Sequence, residues 1–167
     1  MTLNPAFDFS VDKENKTIRV KREFAAEVAL VWEAYTNSEI LDQWWAPKPW
    51  KARTKTMNFS EGGYWLYAMV GPEGEEHWAR ADFKNIEPKK KYNVLDGFAD
   101  AEGNLNKDLP QAKWEINFIP KGQVTLVDIL ITYSDLAQLE TILKMGFKEG
   151  FSMAMDNLDE LLPTLKK

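Results

Sequence analysis

His77 is the single histidine of the 167-residue chain, and it stands among the carboxylates Glu75, Glu76 and Asp82. An imidazole beside a carboxylate can work as a general base near neutral pH. A lone histidine at a strand end reads first as a surface or packed residue, and with no cysteine and no second histidine neither a thiol centre nor a histidine-cysteine metal site can be built. Asp128 interrupts an apolar strand and Asp96 sits in another. Each reads as a solvated edge residue; the alternative is a carboxylate turned into a cavity, with a raised pKa and the capacity to act as acid or base. Asp100, Glu102, Asn104, Asn106 and Asp108 alternate along one polar segment but lack the glycine and the terminal glutamate of a calcium loop, so no metal is assigned. No nucleophile, base and orienting partner are visible together, so neither a catalytic residue nor a cofactor is assigned.

The aromatic side chains carry more information. They make up 13% of the chain, with 7 Trp. Trp65, Tyr67 and Met69 share one face of a predicted strand, and Trp114, Ile116 and Phe118 share one face of another. These positions fill a core, or line an apolar pocket in which the Tyr67 hydroxyl is a polar handle; the two readings are compatible. Trp44 and Trp45 are adjacent, so on a helix their side chains diverge by about 100°. One can pack inward while the other reaches the mouth of a cavity.

These residues must be held by surrounding elements. Residues 135–165 read as one long amphipathic helix, or a short helix running into a long one. Phe147, Phe151, Met155, Leu158 and Leu162 fall on one face; Lys144, Lys148, Asp156, Asn157, Asp159 and Glu160 form the opposite, wet face. Along the stripe, Phe151 and Met155 are expected to border a cavity, and Leu158 and Leu162 to seal its closed end. Gly146 and Gly150 each cost about 1 kcal/mol in a helix interior, so the backbone approaches the sheet closely there or the helix breaks.

Thr17 to Phe24 alternates as a half-buried strand. Val28, Val31, Trp32 and Tyr35 then mark a helix of about three turns, and Ser38 can cap a second, shorter one carrying Ile40, Leu41, Trp44 and Trp45. Turn residues divide the following segment into six strands, at Arg53 to Phe59, Tyr64 to Val70, Glu76 to Ile86, Tyr92 to Phe98, Ala112 to Pro120 and Gln123 to Tyr133. The expected fold is α+β: a seven-stranded antiparallel sheet curled around a long C-terminal helix, with two small helices between strands one and two. Residues 1–15 form an arm in which Phe7, Phe9 and Val11 alternate weakly, and residues 16–167 a single domain. The last strand is apolar on both parities, leaving its inward set open. The Asp100 to Leu109 loop is long enough to be a lid or a mobile segment.

Composition narrows the partners. The chain is 28% charged with a net charge of -5, and no basic run exceeds Lys89 to Lys91, so nucleic acid is not expected. No apolar run has the length of a membrane span, and Met1 to Ser10 lacks signal-peptide character, which makes a cytoplasmic location the expectation. Monomer and homodimer are both open.

Val31-Trp32-Glu33-Ala34-Tyr35-Thr36, then Glu39-Ile40-Leu41, then Gln43-Trp44-Trp45-Ala46-Pro47 resemble a known signature. It is that of the domain family named after the activator of the heat-shock-protein-90 ATPase, within the START-related (SRPBCC) superfamily. Gly62-Gly63 followed by Met69 and Pro72-Glu73-Gly74-Glu75-Glu76 is similar to the family's next run. Gly146 to Phe151 with Met155, Leu158 and Leu162 looks like its terminal helix, although Trp is commoner in the family where Phe151 stands here. Ala26 replaces a usual Pro, Ala81 a frequent Gly, and the Asp100 to Leu109 loop is longer than usual. The resemblance implies a helix-grip fold, often with a cavity between sheet and helix. The eukaryotic co-chaperone also carries a separate N-terminal domain, to which nothing here is similar; that weighs against the co-chaperone role more than against the fold.

The reading that follows is non-catalytic binding of a small, largely apolar molecule. The candidate cavity residues are Trp44, Trp45, Trp65, Tyr67, Met69, Trp114, Phe118, Phe147, Phe151 and Met155. One alternative is a protein-interaction domain that stimulates a chaperone ATPase, with the chaperone as partner. The other is an enzyme resembling a polyketide cyclase, which requires Asp96, Asp128 or His77 to face the pocket.

Overall fold

The computed structural model describes residues 7–165; residues 1–6 of the expected arm lie outside the described residues, as do 166–167. In chain order the elements are β1 (Phe7–Asp12), β2 (Thr17–Phe24), α1 (Val28–Thr36), α2 (Ser38–Trp44), β3 (Lys51–Met57), β4 (Tyr64–Val70), β5 (Glu76–Glu87), β6 (Lys91–Ala99), β7 (Gln111–Lys121), β8 (Val124–Tyr133), α3 (Leu136–Lys144) and α4 (Phe147–Leu165). The strands form one antiparallel sheet in the order β1-β2-β8-β7-β6-β5-β4-β3. The sheet curls around α4, which is the helix-grip arrangement.

The sheet has eight strands, one more than the seven expected. The addition is β1, which pairs with β2 from Phe7↔Arg22 to Asp12↔Thr17. Its burial is slight, with only Phe9 half-buried, against the Phe147 ring. Backbone hydrogen bonds rather than a buried face hold this edge strand, so its alternation is faint in the sequence. In the turn that follows, the Asn15 backbone N–H and side-chain amide both donate to the Asp12 carboxylate.

Asn37, not Ser38, caps α2: its side-chain oxygen accepts from the Glu39 backbone N–H at 2.9 Å. The terminal segment is a short helix followed by a long one. Asp135 starts α3 by accepting from the Gln138 N–H at 2.8 Å, and Gly146, at φ +90°, breaks the chain before α4. A left-handed backbone favours glycine because it has no Cβ. No close approach explains Gly150, where an added Cβ would lie 3.7 Å from Pro47 Cγ, an ordinary contact.

The inward face of α4 buries Phe151, Ala154, Met155, Leu158 and Leu162. Asn157, expected in water, is 8% exposed. Its Nδ2 donates to the Ala46 carbonyl at 3.1 Å and more weakly toward that of Trp44, tying α4 to the end of α2. Arg22 occupies an inward position of β2 beside Ile18, Val20 and Phe24; its guanidinium meets Asp156 at 2.6 Å and Asp159 at 3.8 Å on α4. On β8 the inward set is Thr125, Val127, Ile129, Ile131 and Tyr133.

The Asp100 to Leu109 loop is no lid over the helix side of the sheet. Arg80 Nη1 donates to the Gly103 carbonyl at 3.1 Å, Lys55 Nζ to that of Ala101 at 2.6 Å, and Leu105 bridges to Ala99. These contacts pin the loop to the outer face, where it covers Leu66, 2% exposed. The acidic series within it serves the turn: the Asp100 carboxylate accepts from the backbone of Glu102 and Asn104 and from the Asn104 amide. Those bonds, led by Asn104, hold its pKa below the ordinary value. Among the described residues no helix is long and apolar enough to cross a membrane.

Candidate functional site: an aromatic cavity with one carboxyl in its wall

The aromatic residues divide into two clusters. Trp32, Tyr35, Phe59, Phe83, Tyr92 and Phe118 contact one another ring to ring at centroid distances from 4.8 to 6.0 Å and close one end of the grip. Trp45, Trp65, Tyr67, Trp114, Phe147 and Phe151 form the second, toward the α3–α4 break. Trp44 joins the two, 4.9 Å from Tyr35 and 5.3 Å from Trp45. The adjacent tryptophans do diverge. Trp44 is fully buried with Nε1 donating to the Ala34 carbonyl at 2.9 Å, whereas Trp45 Nε1 donates to the Tyr67 hydroxyl at 2.8 Å.

Beside the second cluster lies a cavity of about 390 Å³, between the sheet, the α3–α4 junction and the segment after α2. Its origin is a shortage of side-chain volume. The sheet presents Ala79 and Ala112 at inward positions, and the helical wall presents Gly146 and Gly150, so nothing large fills the gap. The wall residues that reach solvent include His77 and Met145, which place the mouth. Trp50 lies against the His77 ring at 5.3 Å. Its position depends on Gly71, where an added Cβ would come within 2.9 Å of Trp50 Cη2 and 2.6 Å of Glu75 Oε1.

Six candidates, Trp45, Tyr67, Met69, Trp114, Phe147 and Phe151, line this cavity. The other four do not. Trp44 is buried between the clusters, Phe118 belongs to the closed end, Met155 is 1% exposed in the solid core, and Trp65 is stacked on Tyr67 at 3.9 Å with Nε1 donating to Thr54 Oγ1. Met155 therefore groups with Leu158 and Leu162, not with Phe151.

Asp96 also lines the cavity, contrary to the solvated reading. Its position follows from parity, since Tyr92, Val94, Asp96 and Phe98 alternate on the inward side of β6. The residue is half-buried, in the wall of the cavity. Burial pushes its pKa up to about 7, against opposing influences from the Trp114 indole N–H, the Ala112 backbone N–H and its own backbone N–H. Trp114 Nε1 is close enough to act on the charge but forms no hydrogen bond of proper geometry among the described residues. Tyr67 and Tyr133 both sense the Asp96 charge; burial, then that charge, raises each phenol above its ordinary value, with the Trp45 bond opposing at Tyr67. Asp128 faces the other way and pairs with Arg19 at 2.9 Å across β2 and β8. Behind Asp96 and Tyr67 a void of about 30 Å³ reaches Tyr35, whose buried hydroxyl has no hydrogen-bond partner among the described residues.

Comparison with known proteins agrees with this fold. Residues 25–163 match the family described as Activator of Hsp90 ATPase homolog 1-like protein. A solved structure from Mycobacterium smegmatis is 30% identical, with a TM-score of 0.86 over 95% of this chain and 96% of that one. One from Arthrobacter aurescens is 29% identical, with a TM-score of 0.88 over 94% of this chain and 91% of that one. The AHSA1 protein of Silicibacter pomeroyi, 19% identical with a TM-score of 0.70 over 90% and 99%, shares the fold. No curated protein matches the chain.

Proposed function

This chain belongs to the Activator of Hsp90 ATPase homolog 1-like family, and we propose that within it the chain is a non-catalytic binder of a small, largely apolar molecule. The observation that carries this reading is the cavity of about 390 Å³, walled by Trp45, Tyr67, Trp114, Phe147 and Phe151. That volume falls within the usual range of small-molecule sites. Apolar burial supplies the binding energy, and the few polar groups orient the guest. Asp96 is a group that can move a proton near neutral pH, but no serine, threonine or lysine stands beside it among the described lining residues. Binding is therefore favoured over turnover. The chaperone reading has the family's name as its support.

Thermal shifts and native mass spectra against fatty acids, sterols and fused-ring aromatics test the proposal, with Ala79→Leu as the control. The added side chain occupies the cavity, so ligand shifts should vanish while stability changes by less than about 1.5 kcal/mol. Identical ligand shifts in Ala79→Leu and the natural chain would place binding elsewhere, and no shift from any class would remove the reading.

A further inference from the structure

Resting on the reading that the cavity holds a small molecule, we propose that its guest is an organic cation: an amine on an aromatic or alicyclic body, its ammonium against the Asp96 carboxylate. Three observations converge. The wall is aromatic on several sides, with Trp45, Trp50, Tyr67, Trp114, Tyr133 and Phe147 around one volume, and the faces of such rings attract cations, more strongly once desolvated. Among the described lining residues the one carboxylate is Asp96, and neither lysine nor arginine lines the space. Among the described residues Asp96 makes no ion pair, although a charge drawn out of water is ordinarily paired.

Burial disfavours the ionised carboxylate, and no lysine or arginine of the described lining offsets that; an ammonium guest would supply the missing countercharge. From β4 and β8 the titratable neighbours are Tyr67 and Tyr133, both neutral at working pH because their pKa values are raised. From β5 the neighbours are Ala79 and Ala81, with His77 at the mouth; from β7 they are Ala112 and Trp114, and the helical wall contributes apolar groups. An ammonium placed beside Asp96 meets no competing cation on these walls.

Calorimetric titration with three probes sharing one ring system tests this: 1-naphthylmethylammonium, 1-naphthylmethanol and 1-naphthoate. At pH 8.5 the ammonium should bind at least tenfold more tightly than the alcohol, and the carboxylate most weakly. Below neutrality, protons compete for Asp96, so ammonium affinity should fall by up to tenfold per pH unit, with proton release on binding, while the alcohol's does not fall. In Asp96→Asn, an isosteric change, ammonium and alcohol should bind alike. Equal affinity of the two in the natural chain, or unchanged ammonium affinity in Asp96→Asn, overturns the cation proposal and leaves the binding reading standing. If none of the three binds, both fall. The pH profile of the natural chain decides the matter even if the variant does not fold.

Discussion

Asp96 is one carboxyl in an aromatic wall, and its placement has a thermodynamic consequence that can be measured without any ligand. Below about pH 4 the folded and unfolded chains both hold the proton, and burial of Asp96 costs little. Between about pH 4 and 7 the unfolded chain has released it while the folded chain, with its carboxyl pKa pushed up to about 7, retains it. The unfolded state then binds fewer protons, so stability falls as pH rises through this window and levels off above it. The loss is on the order of 4 kcal/mol at most. Urea denaturation of the natural chain and Asp96→Asn should give a stability difference that grows in favour of the variant from pH 4 to 7.5; a constant difference would mean that Asp96 is solvated. Tyr35 offers a second test, because its buried hydroxyl has no hydrogen-bond partner among the described residues. Tyr35→Phe should leave stability unchanged or raise it by about 1 kcal/mol, as read from the urea midpoint. The inward parity of Asp96 was legible from Tyr92, Val94 and Phe98. What the sequence did not reveal was that the space in front of it is roofed by α3 and α4 rather than open to water.

At the scale of elements, α4 changes role along its length. Leu158 and Met155 are 0% and 1% exposed, and truncating either to Ala should cost roughly 2 to 5 kcal/mol while leaving ligand affinity nearly unchanged. Phe151 borders an existing cavity, so its truncation enlarges a void rather than creating one, and Phe151→Ala should cost less, about 1 to 3 kcal/mol, yet weaken binding. Equal destabilisation with untouched binding would make the stripe one continuous core. Gly146→Ala should cost about 1 to 2 kcal/mol through its left-handed backbone and also disturb binding, because Ile142 of α3 and Met145 just after it belong to the cavity wall. Circular dichroism with denaturation and probe titration checks both parts. The element order could be read because strands β2 to β7 and all four helices have buried faces that leave a periodic trace, and β8 is apolar on both parities. Edge strand β1 leaves almost none, and Asn157 was hidden because its buried amide serves the Ala46 carbonyl from another part of the chain.

For the whole molecule, the high aromatic content serves two purposes that sequence alone could not separate. Trp32, Tyr35, Phe59, Phe83, Tyr92 and Phe118 fill the closed end, and the cluster from Trp45 to Phe151 opens on a space left by Ala79, Ala112, Gly146 and Gly150. The strand members of both sets, Phe83, Tyr92 and Phe118 in one and Trp65, Tyr67 and Trp114 in the other, alternate in the same way; the difference lies in the small residues opposite them, on elements distant in sequence. The central claim, that this space receives a small apolar molecule, is tested most directly by a 1H–15N correlation titration with 1-naphthylmethylammonium and, separately, 1-naphthylmethanol. At least one probe should produce saturable shifts centred on the amides of Ala79, Ala112, Gly146 and Gly150, with Arg19, Leu95 and Ile119 on the outer face unmoved. No saturable shift with either probe, or shifts centred on the outer face, would contradict the account.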